Sequence, residues 1–231
     1  MAEHSMRGGP DDGPGAPPVR PLEPPDDEVP CAVPVQVMLA HTDKLAVFVA
    51  ELLVYSTGLT FALQLAQHSS FADQRLVDAW LQPPHLVGKD RPFFGVDYAD
   101  DRYTVHDSWA ADDPAVATLA EVARRRGDRW PVLRPTGGRG RIGRYEVDFY
   151  LSPLPPPKEL RFVLAWPSQD LAESSAVVDA DEILQAADRV RQLWPRQPEP
   201  EPAAPDPGDR PRPIPPPASG WFASHSGPPH A

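Results

Sequence analysis

The sequence predicts a mainly β protein. It reads as an antiparallel two-sheet sandwich, of which the immunoglobulin-like fold is one form, with a C-terminal amphipathic helix and disordered proline-rich tails. Three observations carry this. Several runs alternate apolar and polar residues with period two, the signature of half-buried strands. No long alternation of strand and helix patterns appears, which argues against a doubly wound parallel sheet. Of the 33 prolines in 231 residues, 20 lie outside residues 32–196, and segments so dense in proline form neither helix interiors nor central strands. The expected organisation is a tail over 1–31, a β-sandwich domain with its helix over 32–196, and a second tail over 197–231.

The elements follow in chain order. Val33, Val35, Val37 and Leu39 alternate with Pro34, Gln36, Met38 and Ala40, a strand whose proline marks an edge or a start. Residues 45–66, LAVFVAELLVYSTGLTFALQLA, are long enough for a membrane helix. Glu51 inside the run, the turn residues Ser56-Thr57-Gly58, and the alternation of Leu59, Phe61, Leu63 and Leu65 predict a β-hairpin instead. Phe71 to Leu81 reads as a short helix ended by Pro83-Pro84. Phe93–Tyr98 and Arg102–His106 flank Ala99-Asp100-Asp101 as a second hairpin.

Asp113 as cap and Pro114 at the first helical position open a helix that closes at Gly127. Arg124, Arg125 and Arg126 complement its negative end. A glycine-rich loop, residues 137–143, precedes two alternating strands, Tyr145–Leu151 and Leu160–Trp166, joined by Pro153-Leu154-Pro155-Pro156-Pro157. Ala176–Val178 is a last short strand. Asp179 with Glu182 forms a capping box. Behind it, Ile183, Leu184, Ala187, Val190 and Leu193 or Trp194 make one apolar stripe, closed by Pro195. Roughly eight or nine strand candidates result, at sandwich-like spacing.

Composition excludes several functions. The net charge of −11 divides as −5 over residues 1–31, −4 over 32–196 and −2 over the remainder. Non-specific nucleic-acid binding needs a positive surface to release counterions, so no nucleic-acid partner is expected. The single cysteine, Cys31, makes neither an intrachain disulfide nor a zinc site. The N-terminal residues contain no apolar core of the secretory type, so a cytoplasmic location without membrane association is expected. Asparagine is absent and only three lysines stand against 19 arginines, as a GC-rich genome would encode.

The stretch DFYLSPLPPPKELRFVLAWPSQDLAESSAVVDADEILQAADRVRQLWP joins an aromatic strand, a Pro-Leu-Pro-Pro-Pro connector, a strand ending in Trp166-Pro167, then Glu173, Asp179 and a terminal Leu193-Trp194-Pro195. This frame resembles a group of uncharacterised proteins from high-GC actinobacteria. The resemblance is close over the last 50 or so residues of the domain and loose over most of 33–195. It implies a fold-level unit and a source, and no activity.

No catalytic, cofactor-binding or metal-binding set stands out. His106-Asp107-Ser108 holds triad residue types, but neighbours on a strand face opposite sides and cannot form the hydrogen-bonded chain a triad needs. Asp97, Asp100, Asp101 and Asp107 lack calcium-loop spacing. The seven histidines lack the spacing of a metal clamp. Residues 137–143 lack the Gly-Lys-Ser/Thr ending and the following helix of a phosphate loop, and read as a mobile loop. Trp166 and Trp194 read as core. The C-terminal tail offers a docking element instead: Arg210 and Pro213 lie in a basic PxxP-like stretch, and Trp221-Phe222 follows where no local core is expected to bury it.

The sequence therefore points to a non-catalytic interaction module, with a protein partner reached through the C-terminal tail or the sandwich surface. The alternative is an enzyme of unrecognised type using the Asp-rich hairpin 97–107 and the glycine-rich loop 137–143.

Overall fold

The computed structural model describes residues 23–73, 91–106, 130–195 and 219–225. The helix expected from Asp113 to Gly127, most of the one expected over 71–81, Asp107, Ser108, Arg210 and Pro213 lie outside the described residues. The protein is mainly β; among the described residues it has antiparallel sheets and two short α-helices. In chain order the strands are β1 (Glu28–Val29), β2 (Cys31–Val33), β3 (Val37–His41), β4 (Leu45–Tyr55), β5 (Gly58–Gln67), β6 (Phe93–Tyr98), β7 (Tyr103–Val105), β8 (Val132–Arg141), β9 (Arg144–Ser152), β10 (Glu159–Trp166), β11 (Leu171–Asp179) and β12 (Arg191–Gln192). The helices are α1 (Ala180–Ala187) and α2 (Trp221–His225).

One sheet runs β2-β4-β5-β9-β8, with β3 also paired to β4; a second runs β11-β10-β6-β7; β1 and β12 form a small third. The two larger sheets turn their apolar faces to one core. Phe61 of β5 meets Phe94 of β6 and Phe162 of β10 edge-on, at centroid distances of 6.0 and 5.0 Å, and stacks on Phe149 of β9 at 5.6 Å. Offset and edge-on geometries of this kind add to the burial of the rings.

The apolar run 45–66 is the β4–β5 hairpin, paired in register from Leu45↔Gln67 to Tyr55↔Gly58. Its alternation slips by one: Leu45, Val47 and Val49 are buried, then Leu52 and Val54. The slip is a bulge between Ala50 and Leu53, where Glu51 takes φ 58 and turns to solvent. An extra residue in one strand changes which parity faces the core. Among the described residues no helix is long and apolar enough to cross a membrane.

Four expectations are corrected. Residues 137–141 are not a loop but part of β8, paired from Gly137↔Asp148 to Arg141↔Arg144. Glycine weakens strand propensity, but the continuous ladder and the pairing of Arg139 with Glu146, and at 3.9 Å with Glu51 and Asp148, hold the segment extended. The C-terminal helix stops at Ala187. Beyond it the chain extends as β12 beside β1, and Leu193 N–H donates to the Asp27 carbonyl at 2.7 Å. Leu193 and Trp194 are consequently exposed, whereas Trp166 is fully buried. The boundary expected at residue 32 falls inside β2. Asp27 and Glu28 are buried, and Glu28 accepts hydrogen bonds from the Ser56 N–H at 2.9 Å and from the Ser56 hydroxyl. The last strand expected over 176–178 is the full nine-residue β11.

Candidate functional site: the outer face of the four-stranded sheet

Strand β10 sends Leu160, Phe162, Leu164 and Trp166 into the main core. The alternate positions Val163 and Ala165 are also buried. They belong to a second, separate cluster with Val105 of β7 and Phe222 of α2, flanked by Phe93 of β6 and Trp221. The register Val163↔Gly95 and Gly95↔Val105 places these residues side by side on the face turned away from the main core. An apolar outer face requires a cover, and α2 supplies it.

Side chains of the sheet hold α2 in place. Glu173 of β11 accepts the Trp221 N–H at 2.8 Å and the Phe222 N–H at 3.3 Å. These are donors that the first turn of a helix leaves unpaired, and a carboxylate also suits the positive end of the helix. The chain enters through Gly220 at φ +91, and a Cβ there would sit 2.5 Å from a Glu173 oxygen. Only glycine fits both the left-handed backbone and the close carboxylate.

The Phe222 ring is fully buried and lies 5.7 Å from the Phe93 ring. Trp221 lies over Gly95, where a Cβ would stand 2.6 Å from the indole. His225 stacks on Trp221 at 4.6 Å, meets Tyr103 edge-on at 4.3 Å, and its Nδ1–H donates to the Trp221 carbonyl at 2.7 Å.

One charged group lies under this aromatic set. Asp97 of β6 has its carboxyl pushed above the ordinary range, chiefly by burial and slightly by Asp101; Arg161, His225 and the Trp221 indole act against the shift. Arg161 Nη1 stands 3.8 Å from Asp97 Oδ2.

Other residues singled out in the sequence are dispersed. Asp100 pairs with Arg102 at 2.8 Å in the turn of the β6–β7 hairpin, and Asp101 takes φ 65 there. His106 is buried against Phe149 with ring centroids 5.0 Å apart, and burial holds its pKa well below the ordinary value. The glycine-rich segment is in β8 of the other sheet, so it and the Asp-rich hairpin do not share a face. Among the described residues no three His, Cys, Asp or Glu side chains are placed to hold a metal ion.

Of the four proposed docking residues, Trp221 and Phe222 come together on this face. The premise that no local core can bury them is corrected: the outer face of the chain's own sheet buries Phe222 and partly covers Trp221. The sequence names Glu173 only within the frame that carries the resemblance, and gives Gly95 and Tyr103 no site role. A signal was present in β10, whose positions 163 and 165 are apolar where a solvated strand face would be polar.

No family model matches this chain. Neither does any curated protein or solved structure.

Proposed function

We propose that this protein is a non-catalytic protein-interaction module, a two-sheet sandwich whose recognition surface is the outer face of the β11-β10-β6-β7 sheet. The chain's own residues 220–225 occupy that surface in the absence of a partner. The observation that supports this is the burial of Phe222. It is a side chain in a five-residue helix, joined to the domain by a proline-rich span of sequence, yet it lies in an apolar cluster separate from the main core. The acidic balance of the chain favours a protein partner over nucleic acid, and a cytoplasmic setting fits the same reading.

The test is affinity capture from the source cells with the full chain and with its Trp221→Ala, Phe222→Ala double variant. If the sheet face is the recognition surface, the double variant recovers several-fold more of a shared partner, because its face is vacant. Loss of the partner in the double variant would make the tail itself the docking element. Equal recovery would place the binding surface elsewhere.

A further inference from the structure

We propose that the outer face selects a partner segment of defined chemistry: a glycine, then an aromatic residue and phenylalanine opening a helical turn, with histidine four residues after the first aromatic. The chain's Gly220–His225 is then an intramolecular competitor for that ligand. This rests on the preceding reading of the face as a recognition surface and goes on to say what it recognises and how it is regulated.

Glu173 is the specificity-determining group. Its two oxygens take two successive backbone N–H groups, at 2.8 and 3.3 Å. That geometry demands a chain arriving through a left-handed residue, which Gly220 provides at φ +91. A segment continuing a longer helix upstream has those N–H groups already bonded and is rejected. The Phe93, Val105, Val163 and Ala165 surface accepts one phenyl ring, and the absence of a side chain at Gly95 accepts a flat indole above the backbone. The ligand is thus read by a charge-assisted backbone contact and two ring sites.

The internal segment is suited to exchange. Only Phe222 is fully buried, Ala223 and Ser224 are exposed, and ordering five residues opposes the gain from one and a half rings. What favours it is tethering: residues 196–218 keep it near the face at an effective concentration on the order of 1 mM. A partner displaces it by adding contacts that positions 223 and 224 do not make.

The experiment uses the full chain and a synthetic peptide of residues 217–227, titrated to a few millimolar and followed by NMR shifts at Gly95, Val163 and Ala165. The Trp221→Ala, Phe222→Ala chain should bind the peptide about tenfold more tightly than the wild-type chain, whose own segment competes. Adding Glu173→Gln to the vacated chain, or placing valine at the peptide's Gly220 position, should each weaken binding about tenfold. Binding that ignores both changes would overturn the selectivity while leaving a recognition face. No shift at any concentration, with amide protection of β6 and β10 intact, would overturn the proposal. If the double variant loses the sheet, Glu173→Gln in the otherwise wild-type chain decides. Faster amide exchange confined to 219–225 supports the proposal, and unchanged exchange there overturns it.

Discussion

Replacing Gly95 with alanine tests the docking geometry at a single carbon. The backbone at Gly95 is not left-handed, so alanine is conformationally acceptable. In an exposed strand it would stabilise by roughly 0.5–1 kcal/mol. Its Cβ, however, would stand 2.6 and 2.8 Å from two Trp221 ring carbons and 3.1 Å from the Thr104 carbonyl oxygen. The indole is rigid and stacked on His225, so it must lift away from the sheet. Phe222, whose ring centroid is 5.1 Å from that of Trp221, loses its seat with it. Burying a phenylalanine side chain completely is worth about 1.5–3 kcal/mol. Gly95→Ala should therefore lower the free energy of opening α2 by about 2 kcal/mol, roughly a thirtyfold faster amide exchange in residues 219–225. The global unfolding free energy should change by less than about 1 kcal/mol, because the new methyl points away from the main core. Hydrogen exchange read by mass spectrometry resolves the two. Unchanged exchange in 219–225 would refute the close approach of Trp221, and faster exchange spreading into β5 and β9 would refute the separation of the two apolar clusters.

Two further outcomes follow. Ile183 of α1 is fully buried, whereas Leu184 is only partly covered; Ile183→Ala should cost about 2–5 kcal/mol in denaturant unfolding and Leu184→Ala nearer 1 kcal/mol, and equal costs would mean that α1 docks through a different face. Because burial raises the Asp97 carboxyl above its ordinary 3.8, the folded state binds that proton more tightly than the unfolded one, so its contribution to stability grows as pH falls through the window between 3.8 and the raised value and is lost as pH rises again. The difference in stability between the wild-type chain and Asp97→Asn should follow that sign as pH rises from 3.8; a difference that does not vary with pH would mean that Asp97 is solvated.

Strand periodicity made much of the fold legible. The hairpins at 45–67 and 93–105 follow from period-two alternation and their turn residues, because one face of each is buried and a single-residue slip would invert it. The bulge at Glu51 is legible in retrospect as a parity change between Val49 and Leu52. Residues 137–141 read as a loop because glycine content reports local preference, whereas the ladder with β9 and the ion pairs of Arg139 are tertiary. The helix past Ala187 was overextended for a similar reason. The stripe through Val190 and Leu193 is helical in spacing, but β1, more than 160 residues earlier in the chain, offers Arg191 and Gln192 a strand partner. A long-range pairing of two residues leaves no pattern in the sequence.

The candidate site was half legible, and the missing half is instructive. Trp221 and Phe222 stand out in the sequence as aromatics in need of a partner, while the apolar outer positions of β10 read only as part of a strand. Each observation alone is ambiguous. An antiparallel sheet tolerates one polar face, and strand β9 sets the half-buried Glu146 and Asp148 between the buried Tyr145, Val147 and Phe149, with Tyr150 and Ser152 buried further along that face. Strand β10 departs from that rule at Val163 and Ala165, so its outer face must be covered by the chain or by another molecule. Among the described residues the cover is the five-residue α2, pinned by one carboxylate and one buried ring. A permanent structural cover on such a face would be expected to bury more of its own length. A short one, attached through a long span of sequence, is the arrangement that the proposed recognition surface calls for, because it covers the face with little buried area of its own.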